Sequence, residues 1–171
     1  PICFDDSERL LINRALDAAV FETTPAHILN EGLAYDRCQV GVVTDMPSTD
    51  ELLIQQHDIQ TPEQMRTVVR TQVDLVLPEG AAVLNAEDDA VVSLAELSDG
   101  EVVFYSKDAD NAHVVAHCQA GGRAVFCREG HVILARGDQE TPLFHLDLEL
   151  IARLLKNGLH ISTLLAAVAT A

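Results

Sequence analysis

Tryptophan is absent from this chain of 171 residues, and aromatic side chains make up only 4% of it. The interior must therefore be filled by Val, Leu, Ile and Ala. Cations are scarce as well: 11 Lys and Arg stand against 27 Asp and Glu, a formal net charge of −16. Such a surface repels phosphate backbones and anionic lipids, which argues against nucleic-acid and membrane partners. It would favour a cationic substrate without locating a site for one. The cysteines are Cys3, Cys38, Cys118 and Cys127, and no C-x-x-C pair occurs among them. Neither a secreted disulfide scaffold nor a zinc ribbon is indicated, so reduced thiols and a cytoplasmic location are expected. No signal-peptide pattern is read, and no apolar run is long enough to span a bilayer. The chain opens on Pro1, which fits processing or excision from a longer protein.

What is plentiful is aliphatic. Hydrophobic residues form 48% of the sequence and mean hydropathy is +0.13, which suits one folded domain with its own core. Asp6 and Ser7 are read as caps of a helix through Leu10, Leu11 and Ile12 toward Leu16. Residues 18–21 (A-A-V-F) read as a buried strand ending at Glu22. One or two helical turns follow from Ala26, broken at Gly32. Residues 40–43 form a second strand. Residues 47–60 read as a polar loop in which Leu52, Leu53 and Ile54 need cover. Thr61-Pro62-Glu63-Gln64 is a capping box with proline at the first helical position. Met65, Val68, Val69, Val73 and Val76 then mark the buried face of that helix, and Pro78-Glu79-Gly80 reads as a turn. Strands are expected at 82–84 and 101–105, with a short helix from Asp88 or Asp89 between them. A helix over 111–119 stops at Gly121-Gly122. Arg128-Glu129-Gly130 joins two strands into a hairpin, Leu143-Phe144-His145 is a third short strand, and two apolar helices end the chain. Alternating strands and helices with fully apolar strands predict a mainly parallel sheet covered on both faces.

Four blocks carry more than periodicity. Residues 31–44 read E-G-L-A-Y-D-R-C-Q-V-G-V-V-T, residues 58–64 read D-I-Q-T-P-E-Q, and residues 78–88 read P-E-G-A-A-V-L-N-A-E-D. The hairpin opens with G-G-R-A-V at 121–125. In this order they resemble blocks of cyanophycin synthetases, within the Mur-ligase-like part of those enzymes. The resemblance implies a three-layer αβα Mur-ligase-like central domain with a mainly parallel sheet and a small antiparallel hairpin region. It divides the chain into a partial core over 1–120 lacking the phosphate loop, and the hairpin with its C-terminal helices over 121–171.

The resemblance also implies a chemistry. Members of the family are ATP-dependent acid–amino acid ligases that use magnesium: ATP turns a carboxylate into an acyl phosphate, and an amine displaces the phosphate. In cyanophycin synthetase the implied partners are a poly-aspartate backbone and arginine. Phosphates are usually cradled by a Gly-rich loop carrying a Lys and a Ser or Thr; no such G-x-x-G-K-T pattern occurs in this sequence. The family's E-T-A-R-G-G-I-L motif is matched by E-T-T-P-A-H-I-L at 22–29. Glu22 therefore keeps an implied magnesium position, while Ala26-His27 replaces the glycines that admit a ligand to the backbone. A family His in a D-H-L motif is met by Glu51 in D-E-L, a hard oxygen ligand whose plainer reading is a solvated carboxylate. The modified Lys of Mur ligases has no counterpart in R-T-V-V-R at 66–70. Asn85 and Asp88 keep the motif placed near adenine, though Asn at a strand end is also a common turn former.

Other groupings are weaker. His113 and His117 are spaced to share a metal, but a half-exposed helix face explains them without one. No G-x-S-x-G elbow occurs. Arg37 would lower the pKa of Cys38, whereas a buried strand start would leave it inert. The sequence thus predicts a fragment or degenerate copy of a ligase domain, inactive alone and structural or self-associating. The alternatives are a live ligase domain whose phosphate loop lies elsewhere, with Glu22 and Glu51 on magnesium, and a non-catalytic nucleotide- or peptide-binding module.

Overall fold

Six strands in consecutive order make one sheet: β1 (Cys38–Val43), β2 (Val76–Asn85), β3 (Glu101–Ser106), β4 (Arg123–Arg128), β5 (His131–Arg136) and β6 (Gln139–His145). The computed structural model describes residues 4–171, with side chains from Asp6 onward, so the Cys3 thiol lies outside it. Strands β1 to β4 run parallel, and β5 and β6 return antiparallel. The helices are α1 (Phe4–Leu11), α2 (Pro25–Glu31), α3 (Glu51–His57), α4 (Pro62–Val69), α5 (Thr71–Asp74), α6 (Asp89–Val92), α7 (Ala112–Gln119), α8 (Leu148–Lys156) and α9 (Ile161–Thr170), with a 3₁₀ turn at Ala95–Leu97.

The order of strands dictates the layering. When neighbours in sequence are neighbours in the sheet and every crossover has the same hand, the crossover helices all fall on one face. Met65, Val69 and Val73 from α4 and α5, Val91 from α6 and Val114 from α7 accordingly share one core with Ala82, Leu84, Phe104 and Phe126. The alternate strand residues Val83, Val103, Tyr105 and Val125 face the other way and pack on Leu165, Ala166 and Ala169 of α9. The two small alanines let α9 lie close to the sheet. Both faces are therefore covered, as the apolar strands predicted.

Local signals hold where they are strong. Thr61 accepts from Gln64 N while the Gln64 side chain accepts from Thr61 N, closing the capping box with Pro62 in the first turn. The β4–β5 turn is Glu129-Gly130, both at positive φ (49° and 77°), the two-residue geometry whose twist matches paired strands. Gly41 is required by contact rather than φ: a Cβ there would run into the Gln72 carbonyl oxygen and Val76.

Several expectations are corrected. Helix α1 is described from Phe4, so Asp6 and Ser7 lie inside it rather than ahead of its first turn. It ends at Leu11, where the Asn13 side chain accepts from Ala15 N at 3.0 Å and offers the backbone an alternative to further helix. Residues 18–21 form no strand, and Val20 is 90% exposed. Phe21 instead stacks on Tyr35 with ring centroids 5.8 Å apart, and Gln72 donates to the Thr23 hydroxyl at 2.7 Å. These contacts hold the segment off the free edge of β1. The expected loop at 47–60 contains α3, nucleated by Asp50 accepting from Leu53 N at 2.8 Å and ended by Asp58 in a left-handed conformation. The predicted helix through Val76 breaks at Arg70 into α4 and α5. Pro78-Glu79-Gly80 is not a free turn but a bulge within β2, where the register jumps from Cys38 opposite Val76 to Val40 opposite Ala81. Pro78 has no N–H for the ladder, which suits a bulge.

Candidate functional site

The C-terminal ends of parallel strands gather loops on one rim, which is where α/β sheets bind ligands. Here β1 ends in Thr44-Asp45, β2 in Asn85 and the 86–88 loop, and β3 in Ser106-Lys107. Ligand crevices usually open where strand order reverses; the described sheet runs from β1 to β6 without a reversal.

The rim is laced by side chains. Asn85 Nδ2 donates to the Thr44 carbonyl at 2.8 Å, and its Oδ1 accepts from Glu87 N at 3.0 Å. Asp88 caps α6 by accepting from Ala90 N at 2.9 Å. Its second oxygen accepts from Met46 N, also at 2.9 Å. Glu87 accepts from Lys107 N at 2.6 Å and pairs with Lys107 Nζ at 2.9 Å. Asn111, the cap of α7, donates to the Ala86 carbonyl at 2.9 Å. Asn85 and Asp88 lie on the same stretch of rim, and both are engaged in tying the β1 and β2 loops to each other. Glu87 and Asn111 complete this lacing and were not singled out from the sequence. Glu87 had a signal, standing two residues beyond Asn85 at a strand end.

The rim is acidic. Burial, then the carboxylates of Asp45 and Glu87, push the Tyr105 phenol far above its ordinary value. A neutral, buried Tyr105 is thus a packing residue.

A cleft of about 300 Å³ opens beside the rim, and Glu22, Thr24, Ile28, Val43, Asp45 and Gln72 are among the residues that line it. Glu22 lines it and is exposed. Glu51 is an exposed residue in the first turn of α3 and is not part of the cleft lining. Among the described residues no group of three or more His, Cys, Asp or Glu side chains is placed to share a metal. His113 Nε2 lies 2.8 Å from Asp89 Oδ1, while His117 Nε2 lies 3.0 Å from the Val102 carbonyl and meets Phe104 edge-on; their different partners point the two rings apart.

Arg37 does not activate Cys38. Burial raises the Cys38 thiol, and Arg37 faces the Asp74 carbonyl at 3.4 Å and Asp99 at 3.9 Å. Cys118 and Cys127 are likewise pushed up, by burial first. All three are poor nucleophiles near neutral pH.

No family model matches the chain. Over 128 residues it is 36% identical to a cyanophycin synthetase of Synechocystis sp. and 34% identical to one of Crocosphaera subtropica. Each match covers 75% of this chain and 14% of the relative. A shorter stretch of 71 residues, 41% of the chain, is 41% identical to the UDP-N-acetylmuramoylalanine–D-glutamate ligase of Symbiobacterium thermophilum, again over 14% of that protein. The chain is thus related to one segment of cyanophycin synthetases and spans a small part of their length. Its mixed α/β fold, a mostly parallel six-stranded sheet with an antiparallel hairpin, agrees with the Mur-ligase relative.

Proposed function

We propose that this chain, a relative of one segment of cyanophycin synthetases, is a ligase-type scaffold that holds no nucleotide by itself and plays a structural part, supporting a larger enzyme or associating with itself. The ancestral chemistry would be ATP- and magnesium-dependent ligation of an amino acid such as arginine to a poly-aspartate backbone. One observation carries the reading. Asn85 and Asp88, the residues implied at the nucleotide, are engaged as clamps on Thr44 and Met46. Transition-state stabilisation in phosphoryl transfer comes from positioned charge on the phosphates. The cleft wall offers Glu22 and Asp45, which repel a triphosphate unless a cation bridges them, and this sequence contains no phosphate-cradling Lys motif.

A second reading is favoured by the place of Glu22 on that wall. In it, a longer polypeptide brings the phosphate loop to the cleft, Glu22 and Glu51 hold magnesium, and Asn85 holds adenine. The two readings part in a turnover assay of this chain with Mg-ATP, arginine and a poly-aspartate primer. We expect neither phosphate release nor arginine incorporation above a no-protein control. ATP-dependent incorporation by this chain alone would overturn the scaffold reading.

A further inference from the structure

Helix α8 keeps an apolar stripe that nothing in the described fold covers. Leu150 and Ile151 pack partly on the core beneath α9. On the outer side Leu148 is 85% exposed, Leu155 58% and Leu159 42%, and Ala152 is exposed too. On the helix itself positions 148, 152 and 155 are spaced four and three apart, as in the seam of a two-helix coiled coil. Beyond the helix end, after Gly158 at positive φ, the Leu159 N–H donates to the Leu154 carbonyl at 2.9 Å, and Leu159 lines a groove with Leu154 and Leu155.

Charge identifies the occupant. Eight of the 11 cationic side chains form ion pairs within the fold, and among the described residues Arg14, Arg153 and Lys156 do not. In a chain with 27 acidic residues, two cations without an ion pair on one short helix stand out. Glu149 lies in the first turn of α8 and Arg153 and Lys156 in the last. That polarity suits the helix dipole, and it also makes the helix its own complement when a second copy runs antiparallel. The seam then sets Ala152 against Leu155 of the second copy, with Leu148 at either end, and it brings Glu149 beside Lys156 twice by symmetry. A membrane would need a strongly basic polar face, which a chain of net charge −16 does not offer.

We infer that α8 is a self-association surface, through which two copies of this chain pair antiparallel about a two-fold axis. This deepens the structural role proposed above and rests on it only for its purpose: dimerisation and nucleotide binding are measured separately, so either can fail alone. The seam is short, so its area falls below a standard interface and the dimer is weak.

Sedimentation equilibrium of the full chain, over about a 100-fold concentration range reaching about 1 mM, tests it. The expected result is a monomer–dimer equilibrium. Lys156→Glu weakens the dimer by about 10-fold, because two attractions become repulsions. Glu149→Lys combined with Lys156→Glu restores it to within about 3-fold. Leu155→Asp abolishes it, while circular dichroism confirms the fold. A monomer throughout the range, a dimer indifferent to Lys156→Glu, or failure of the double reversal would overturn the inference. So would a monomer that co-sediments with anionic vesicles.

Discussion

The stretch from Thr61 to His145 and the stretch before it are built to different standards. In the later stretch Leu84, Val83, Val91, Val103 and Val125 are wholly buried, and the strands form a continuous ladder. In the earlier one, residues 11–20 are all exposed, α2 buries no residue fully and α3 buries only Leu53. The candidate magnesium ligands Glu22 and Glu51 belong to the looser stretch, on separate segments. The candidate adenine residues belong to the tighter one, where they serve as fasteners. Motifs that shape the sheet and motifs proposed to have held a ligand thus differ: the first are integrated into packing, and the second are either absorbed by it or left on its margin.

Truncation of the core should break this comparison most visibly. Leu84→Ala, in the middle of β2, is expected to cost about 3 kcal/mol of stability through lost burial and a residual cavity. Val20→Ala, at a position 90% exposed, should stay within about 0.5 kcal/mol of the parent. Urea unfolding of both checks it; equal effects would mean that the two stretches are not distinct.

The clamps give the next largest effect. Asp88→Ala removes the cap of α6 and the tether to Met46 together, an expected loss of about 1–2 kcal/mol. Asn85→Ala should cost about 1 kcal/mol by freeing the Thr44 carbonyl and the Glu87 amide. Hydrogen exchange at Met46 and Glu87 gives a local readout: their protection should fall in the respective variants. Unchanged stability and protection would show that these residues do not fasten the rim.

How much of this was legible in the sequence depended on the range of the interaction. The Thr61 capping box, the Glu129-Gly130 turn, the 82–84 part of β2 and the apolar β4 strand are decided by neighbours a few positions apart, and they read correctly. The run at 18–21 is apolar enough for a buried strand, but a strand needs a partner and sequence periodicity contains none; the Phe21–Tyr35 stack and the Thr23–Gln72 bond drew it elsewhere. Helix α3 escaped because Leu52, Leu53 and Ile54 are consecutive rather than spaced by a turn. Pro78-Glu79-Gly80 was misread because the residue types that make turns also make bulges. At the rim, Asn85 and Asp88 were legible as a pair through their motif. Their partners were not, because Thr44 lies 41 positions and Met46 42 positions away.

A ligase-type scaffold that seats no triphosphate by itself, as proposed above, should show no response to nucleotide. Thermal unfolding of the chain with and without millimolar Mg-ATP, alongside Glu22→Gln and Glu51→Gln, tests it most directly, because any ligand that binds the folded state raises the melting temperature. The expected result is the same melting temperature with and without Mg-ATP for all three proteins. A magnesium-dependent rise in the parent that Glu22→Gln abolishes would contradict it.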